Sequence, residues 1–169
     1  MATLQWEDYL TDFHRERPGI TEAAFEHARD ATIGSPYEWL ADTLPDSLGD
    51  VLDIACGNAA LQPALSGYTS YLGVDLSTAE LAGARGLDRG PVVRGDARAL
   101  PVRDGSIDTV VASMGLMLVR PLRQAVAEIA RVLRPGGTVA VLLPSVRPLQ
   151  IRDVPALVAL SVPLRGPGA

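Results

Sequence analysis

Short apolar runs that stop at small or acidic residues alternate along this chain with stretches whose apolar positions recur every three to four residues. Val51 to Ile54 is apolar except for Asp53 and stops at Ala55-Cys56-Gly57, as a buried strand feeding a tight turn does. Tyr71-Leu72-Gly73-Val74-Asp75 reads as a second strand, and Pro91 to Gly95 as a weaker third that ends at Asp96. Ile107 to Ser113 is a strongly apolar fourth, and Thr138 to Leu143 a fifth. Helical patterns fill the gaps. One covers Ala59 to Leu65; another runs to about Ala84 and is opened by Ser77-Thr78-Ala79-Glu80, which has the spacing of a capping box. Pro121 to Leu133 is a third, with Val126, Ile129 and Leu133 on one face. Strands alternating with helices imply right-handed crossovers and a mainly parallel sheet covered on both faces, the doubly wound α/β class. In such sheets ligands bind beyond the carboxyl ends of the strands, where strand order reverses; Asp75, Asp96 and Ser113-Met114 all fall at strand ends.

Ahead of the first strand the pattern is helical throughout. Trp6, Tyr9, Leu10 and Phe13 recur at helical spacing over Leu4 to Arg17, and Pro18-Gly19 ends that helix. Thr21 caps a second helix reaching about Ile33, with Phe25 on its buried side. Ser35-Pro36-Tyr37-Glu38 opens a third, with a capping Ser, Pro at the first helical position and Glu at the third. It runs to about Leu44 and buries Trp39 and Leu40. Helices placed there cannot join a parallel sheet, so they lie across its carboxyl edge or pack on one face. The expected organisation is one domain: a helical lid over residues 1–48, a core over 49–145, and a C-terminal helix and tail over 146–169. His14, His27, Tyr37 and Trp39 are the lid side chains able to meet a ligand, His27 reading rather as a solvated histidine.

Composition narrows the classes. At 169 residues the chain suits a single domain. Its net charge is −5 and its fifteen basic residues are all Arg, which excludes a lysine nucleophile or Schiff base. A pI near 4.9 without a basic stripe argues against nucleic acid, whose phosphates demand clustered positive charge. One cysteine, no signal-like N-terminus and no apolar run of membrane length predict a soluble, cytoplasmic protein with no membrane partner. The richness in Ala, Arg, Gly and Pro suggests a bacterial source, and no metal is expected.

The chemistry concentrates at the first turn. A strand, a turn of small residues and a helix N-terminus bring backbone N–H groups and a helix dipole to bear on a ligand. Gly57 lets the backbone approach closely and adopt a positive φ. At the end of the second strand, Asp75 can accept hydrogen bonds from both hydroxyls of a ribose. That suits NAD and other adenosine ligands alike. A dinucleotide fingerprint wants Gly at its first, third and sixth places, whereas from Ala55 this chain has Ala, Gly57 and Ala60. After the third strand, Asp96 can accept from an adenine amine while Ala97 offers a backbone N–H. Cys56 has no basic neighbour in sequence and reads as a small filler rather than a nucleophile.

VLDIACGNA, GVDLS, GDARALPVRDGSIDTVVASMGLMLV and EIARVLRPGGTVAVLLP occur in that order over about Asp50 to Pro144. Together they resemble the class I S-adenosylmethionine-dependent methyltransferases. The resemblance implies a Rossmann-like core, S-adenosylmethionine as cofactor with S-adenosylhomocysteine as product, and methyl transfer to a small-molecule acceptor by in-line displacement. It implies that Asp53 braces the turn, that Ala55, Cys56, Gly57 and Asn58 line the methionine portion, and that Asp75 with Leu76 holds ribose and adenine. Asp96 and Ala97 grip the adenine edge, Ser113 and Met114 border the methyl group, and Arg134-Pro135-Gly136-Gly137 is a structural turn.

Departures from the family pattern carry their own expectations. Gly is common in the family where Ala55 and Ala59 stand, so this turn is stiffer. A His often present after the fourth strand is missing from Leu116-Met117-Leu118-Val119, so no general base is visible. Met114, Met117 and Leu118 then give an apolar floor for the acceptor, with His14 or Tyr37 as orienters. The family's final antiparallel strands have no room after Leu143, so the chain reads as shortened, with a helix over Asp153 to Val162. Strand five is left as an apolar edge, covered by residues after Ser145 or by a second copy in a homodimer. Two rival readings are a non-catalytic protein that binds the same cofactor and, less favoured, an NAD-dependent oxidoreductase.

Overall fold

A computed structural model describes residues 2–32 and 34–144. Three helices come first: α1 (Ala2–Glu16), α2 (Ile20–His27) and α3 (Pro36–Asp42). Then follow β1 (Gly49–Ile54), β2 (Tyr68–Asp75), α4 (Thr78–Gly86), β3 (Val92–Arg94), β4 (Ile107–Ser113), α5 (Leu122–Val132) and β5 (Leu133–Leu142). The five strands form one sheet in the order β3-β2-β1-β4-β5, and every pairing is parallel. The order runs outward from β1 to β3 and then restarts on the other side with β4, so the reversal lies between β1 and β4. This is the doubly wound α/β architecture expected from the pattern.

The period-two alternation of β1 feeds two cores. Val51 faces the layer of α3 and α4, among Tyr37, Leu40 and Leu81. Leu52 and Ile54 face α5, among Val110, Ala125, Ile129 and Val132. Each fully buried side chain of this size contributes about 2 kcal/mol by leaving water, so the central strand anchors both layers. The residues expected as a turn, Arg134 to Gly137, lie instead within β5, where its register with β4 shifts, and Arg134 forms ion pairs there with Asp50 and Asp108. Among the described residues β5 has β4 on one side and no strand on the other.

Several local expectations give way. The helix over 59–65 is absent; turns lead instead into a single 3-10 turn at Gln62–Ala64. Ala59 lies at φ 55, outside the right-handed helical region, and Pro63 has no N–H to extend a helix. The turn after β1 therefore has no α-helix dipole behind it. Thr21 caps nothing: α2 starts at Ile20 after Gly19 at φ 73, which turns the chain without a side-chain cap, and stops at His27. The capping box of α3 is present in full, with Ser35 Oγ accepting from Glu38 N and Glu38 returning to Ser35 N. Leu40 is buried there but Trp39 only partly. On α5 the buried face is Ala125, Ile129 and Val132, while Val126 points to solvent. The small Ala125 lets the helix approach the sheet, and one position of rotation separates the two. The helix expected over 153–162 lies outside the described residues.

Candidate active site

The turn after β1 is built from left-handed backbone at alternate positions: Ala55 at φ 54, Gly57 at φ 54 and Ala59 at φ 55. For the two alanines this is an unfavourable conformation, of order 1 kcal/mol each, held by the surroundings. Those surroundings are visible. Cys56 N donates to Val74 O, and Gly57 N donates to Asp75 Oδ2 at 2.8 Å. Asp75 Oδ1 accepts from Ser77 N, also at 2.8 Å, so one carboxylate ties the turn to the start of α4. A Cβ on Gly115, just beyond β4, would run into the Ala55 Cβ; only glycine lets the two loops meet.

Asp53 does not reach the turn's N–H groups; the bracing falls to Asp75. Asp53 is 1% exposed, and its Oδ2 accepts from the Tyr71 hydroxyl at 2.8 Å. Burial pushes its pKa up to about 7 against the pull of that hydrogen bond, and Asp75 adds to the rise. Burial likewise pushes up Asp75 and the Cys56 thiol. Cys56 packs against Gly73 and is held neutral, a filler as expected.

Helix α1 crosses the mouth of the cleft. At its start Trp6 Nε1 donates to Leu118 O at 2.9 Å, and Arg120 stacks on the indole, 4.4 Å from the ring centroid. At its end His14 Nδ1 meets Glu80 Oε1 at 3.1 Å. The next turn adds Gly19 N, which donates to both Glu80 oxygens at 3.1 and 3.0 Å. The Glu80 hydrogen bond raises the His14 pKa, opposed by burial, with the charges of Glu80 and Asp75 adding to the rise. Behind, Glu22 of α2 pairs with Arg89 at 2.7 Å and accepts from Asn58 Nδ2 at 2.6 Å. Arg89 holds the Glu22 carboxyl below its ordinary range. Tyr37 contributes from α3, its hydroxyl kept protonated by burial.

Under α1 lies a cavity of about 190 Å³ at the carboxyl ends of the strands. Asp53, Ala55, Cys56, Gly57 and Asn58 line it from the first turn, and Asp75 and Leu76 from the second. Asp96 and Ala97 follow β3, Ser113 and Met114 follow β4, and Leu118 lies beyond them. His14 and Tyr37 reach it from the lid. Met117, His27 and Trp39 are not in its lining. Met117 is exposed because the 3-10 turn Leu116–Leu118 buries Leu116 and turns Met117 outward, so the acceptor floor expected of Met114, Met117 and Leu118 keeps Met114 and Leu118. His27 bonds Ala23 O on the outside of its own helix.

Two site features escaped the sequence. Arg98 clasps Asp96 from two residues away: its Nε reaches both oxygens at 3.0 Å and its Nη2 reaches Oδ2 at 2.6 Å. That pairing holds the Asp96 carboxyl below its ordinary range, and an adenine amine would have to share the acceptor with a guanidinium. The Asp-x-Arg spacing was the available signal. Glu80 is the other; its capping-box spacing pointed back to its own helix, not across the cleft to the lid. Ser113 Oγ is buried with no hydrogen-bond partner, a polar atom left for a ligand to satisfy.

Comparison with known proteins gives the same picture. A family model described as a methyltransferase domain matches residues 52–141. A demethylmenaquinone methyltransferase of Mycolicibacterium vanbaalenii is 40% identical over 92 residues, covering 54% of this chain and 40% of the relative. One of the same name from Clavibacter sepedonicus is 30% identical over 143 residues, covering 75% of this chain and 58% of the relative. The chain thus spans about half the length of these curated relatives. A crystal structure of an S-adenosylmethionine-dependent methyltransferase from Mesorhizobium loti superposes with a TM-score of 0.52 at 29% identity, covering 62% of this chain and 52% of the other.

Proposed function

The chain belongs to the class I S-adenosylmethionine-dependent methyltransferases, and on that premise we propose that it moves a methyl group onto a small-molecule acceptor by in-line displacement. The observation that carries this is the composition of the cavity wall: Asp53, Asp75, Glu80 and Asp96 converge on a cleft whose only orphaned buried polar atom among the described residues is Ser113 Oγ. Such a wall suits a ligand rich in hydrogen-bond donors and carrying positive charge, which describes a ribose, two amines and a sulfonium. The turn lacks the α-helix N-terminus on which a pyrophosphate rests, so the nicotinamide reading loses its anchor. The residues therefore fit the cofactor.

In this reading Asp75 accepts from the ribose hydroxyls with the lone pairs left after Gly57 and Ser77. Leu76 and Ala97 flank the adenine, Asp96 shares its amine with Arg98, and Ala55 to Asn58 carry the methionine end. Ser113 and Met114 border the reacting end, where Met114 at φ 61 holds its loop in a fixed, unfavourable shape. S-adenosylmethionine, when bound, supplies a methyl carbon activated by the sulfonium. The chain's own share is alignment and exclusion of water, for which α1 roofs the cleft. Tyr37 is held protonated and offers no base, and His14, whose Nδ1 is on Glu80, keeps only Nε2 to act as one. An acceptor that arrives as an amine, a thiolate or an ionised oxygen needs none. Relatives named for demethylmenaquinone support a small-molecule acceptor. A homodimer through the β5 edge belongs to the same reading; a monomer at every concentration in analytical ultracentrifugation would remove it.

The test is calorimetric titration with S-adenosylhomocysteine. We expect one-to-one binding, with NAD silent. A folded sample that gives no heat overturns the reading, and binding without turnover across a broad acceptor panel makes the chain a cofactor-binding protein instead.

A further inference from the structure

We propose that Glu80 is a positioning residue that latches the lid over the bound cofactor, so that ligand release requires its carboxylate to part from His14 and Gly19. The proposal rests on the reading that the cavity takes S-adenosylmethionine. It begins with a local anomaly. Ser77 and Glu80 have the spacing of a reciprocal capping box, and half of it forms: Ser77 Oγ accepts from Glu80 N at 3.3 Å. The returning half does not. Ser77 N donates instead to Asp75 Oδ1, which releases the Glu80 side chain from its own helix.

That side chain is 5% exposed, and its hydrogen-bond partners come from the lid. Oε1 takes His14 Nδ1 and Gly19 N; Oε2 takes Gly19 N again. One carboxylate thus grips both the end of α1 and the turn into α2. It also lies beside the ligand seat, since a Cβ on Gly57 would sit 3.7 Å from Oε2. Lifting the lid exchanges all these bonds for water at once, and hydrogen bonds to a charged group are stronger than neutral ones. Closed, the lid is held by a charge-assisted pair; open, Glu80 must be hydrated. Cofactor exchange and rupture of this pair are then one event.

The test has two arms. In the first, the dissociation rate of S-adenosylhomocysteine is measured by surface plasmon resonance for the native chain, Glu80→Gln, His14→Gln and the double variant. We expect dissociation about tenfold faster in each single variant, association changed far less, and a double variant no faster than the singles, as for two residues of one contact. In the second, amide hydrogen exchange of the ligand-free chain should speed up at Gly19 and along α1 while β1 keeps its protection. Unchanged dissociation in both single variants, or additive effects in the double, overturns the latch. So does protection lost equally from β1 and the lid, which would make Glu80 a general fold residue. If Glu80→Gln fails to fold, His14→Gln, on the more exposed partner, carries both arms. Failure of the native chain to bind S-adenosylhomocysteine would sink the proposed function, while the exchange arm would still decide the latch.

Discussion

The sheet and the lid hold themselves in place by different physics. In the sheet, Leu52, Ile54, Val110 and Val111 are sealed from solvent, and stability comes from apolar area removed from water. In α2 no residue is buried, and none of the described side chains of α1 is fully so. Apart from Phe25, which packs partly buried on the core beside Tyr37, these helices are fastened at points: Trp6 on Leu118 O, His14 and Gly19 on Glu80, Glu22 on Arg89 and Asn58. A contiguous apolar core comes apart cooperatively, whereas point fastenings fail singly and locally. On the latch proposed above, the molecule pairs a buried platform with a cover that opens without unfolding it.

Substitutions can break or sharpen that contrast. Leu52→Ala should have the largest effect, about 3 kcal/mol lost from global unfolding in denaturant, because the hole opens in the central strand. Gly115→Ala should follow, at about 2 kcal/mol, since its methyl group displaces Ala55; calorimetry should also show weakened S-adenosylhomocysteine binding. Trp6→Phe keeps the ring and removes the bond to Leu118 O. Its expected loss is about 1 kcal/mol, seen as faster amide exchange in α1 alone; an equal loss in β1 would erase the distinction between platform and cover. Titration should act on the lid too. His14 has its pKa raised in the folded chain, with Glu80 and Asp75 as the charged groups facing it. The stability it lends is complete below its ordinary value of 6.5 and fades as pH rises through the higher folded value, so α1 exchange should quicken with rising pH beyond the intrinsic rate. Val126→Ser should be the quietest, below about 0.5 kcal/mol, because that side chain meets water.

What could be read from the chain divides along the same line. The strands were legible because a buried strand writes its own pattern: Ile107 to Ser113 is apolar in sequence and is a strand over those same residues. The cap at Ser35 was legible because all its partners lie within four residues. Glu80 had the same local signature and was misread, since its carboxylate found partners 61 and 66 residues away. The clasp of Arg98 on Asp96 was not legible, because nothing in the carboxylate's own charge reveals that a guanidinium two residues on folds back on it. The helix over 59–65 failed through tertiary demand: backbone contacts with β2 and Asp75 hold this turn in left-handed conformations that no helix tolerates. Val126 and Ala125 differ by one position, and the rotation of α5 about its axis, set by its packing on the sheet, decides between them.

The seating of Trp6 has a practical consequence. The chain has two tryptophans, and Trp39 sits on α3, partly packed into the core and outside the cavity lining. A Trp39→Phe chain would keep a single indole, stacked under Arg120 and bonded to Leu118 O at the edge of the cleft. Its fluorescence would respond to the movement of the cover itself, giving an intrinsic optical signal of opening and closing that needs no label and no turnover.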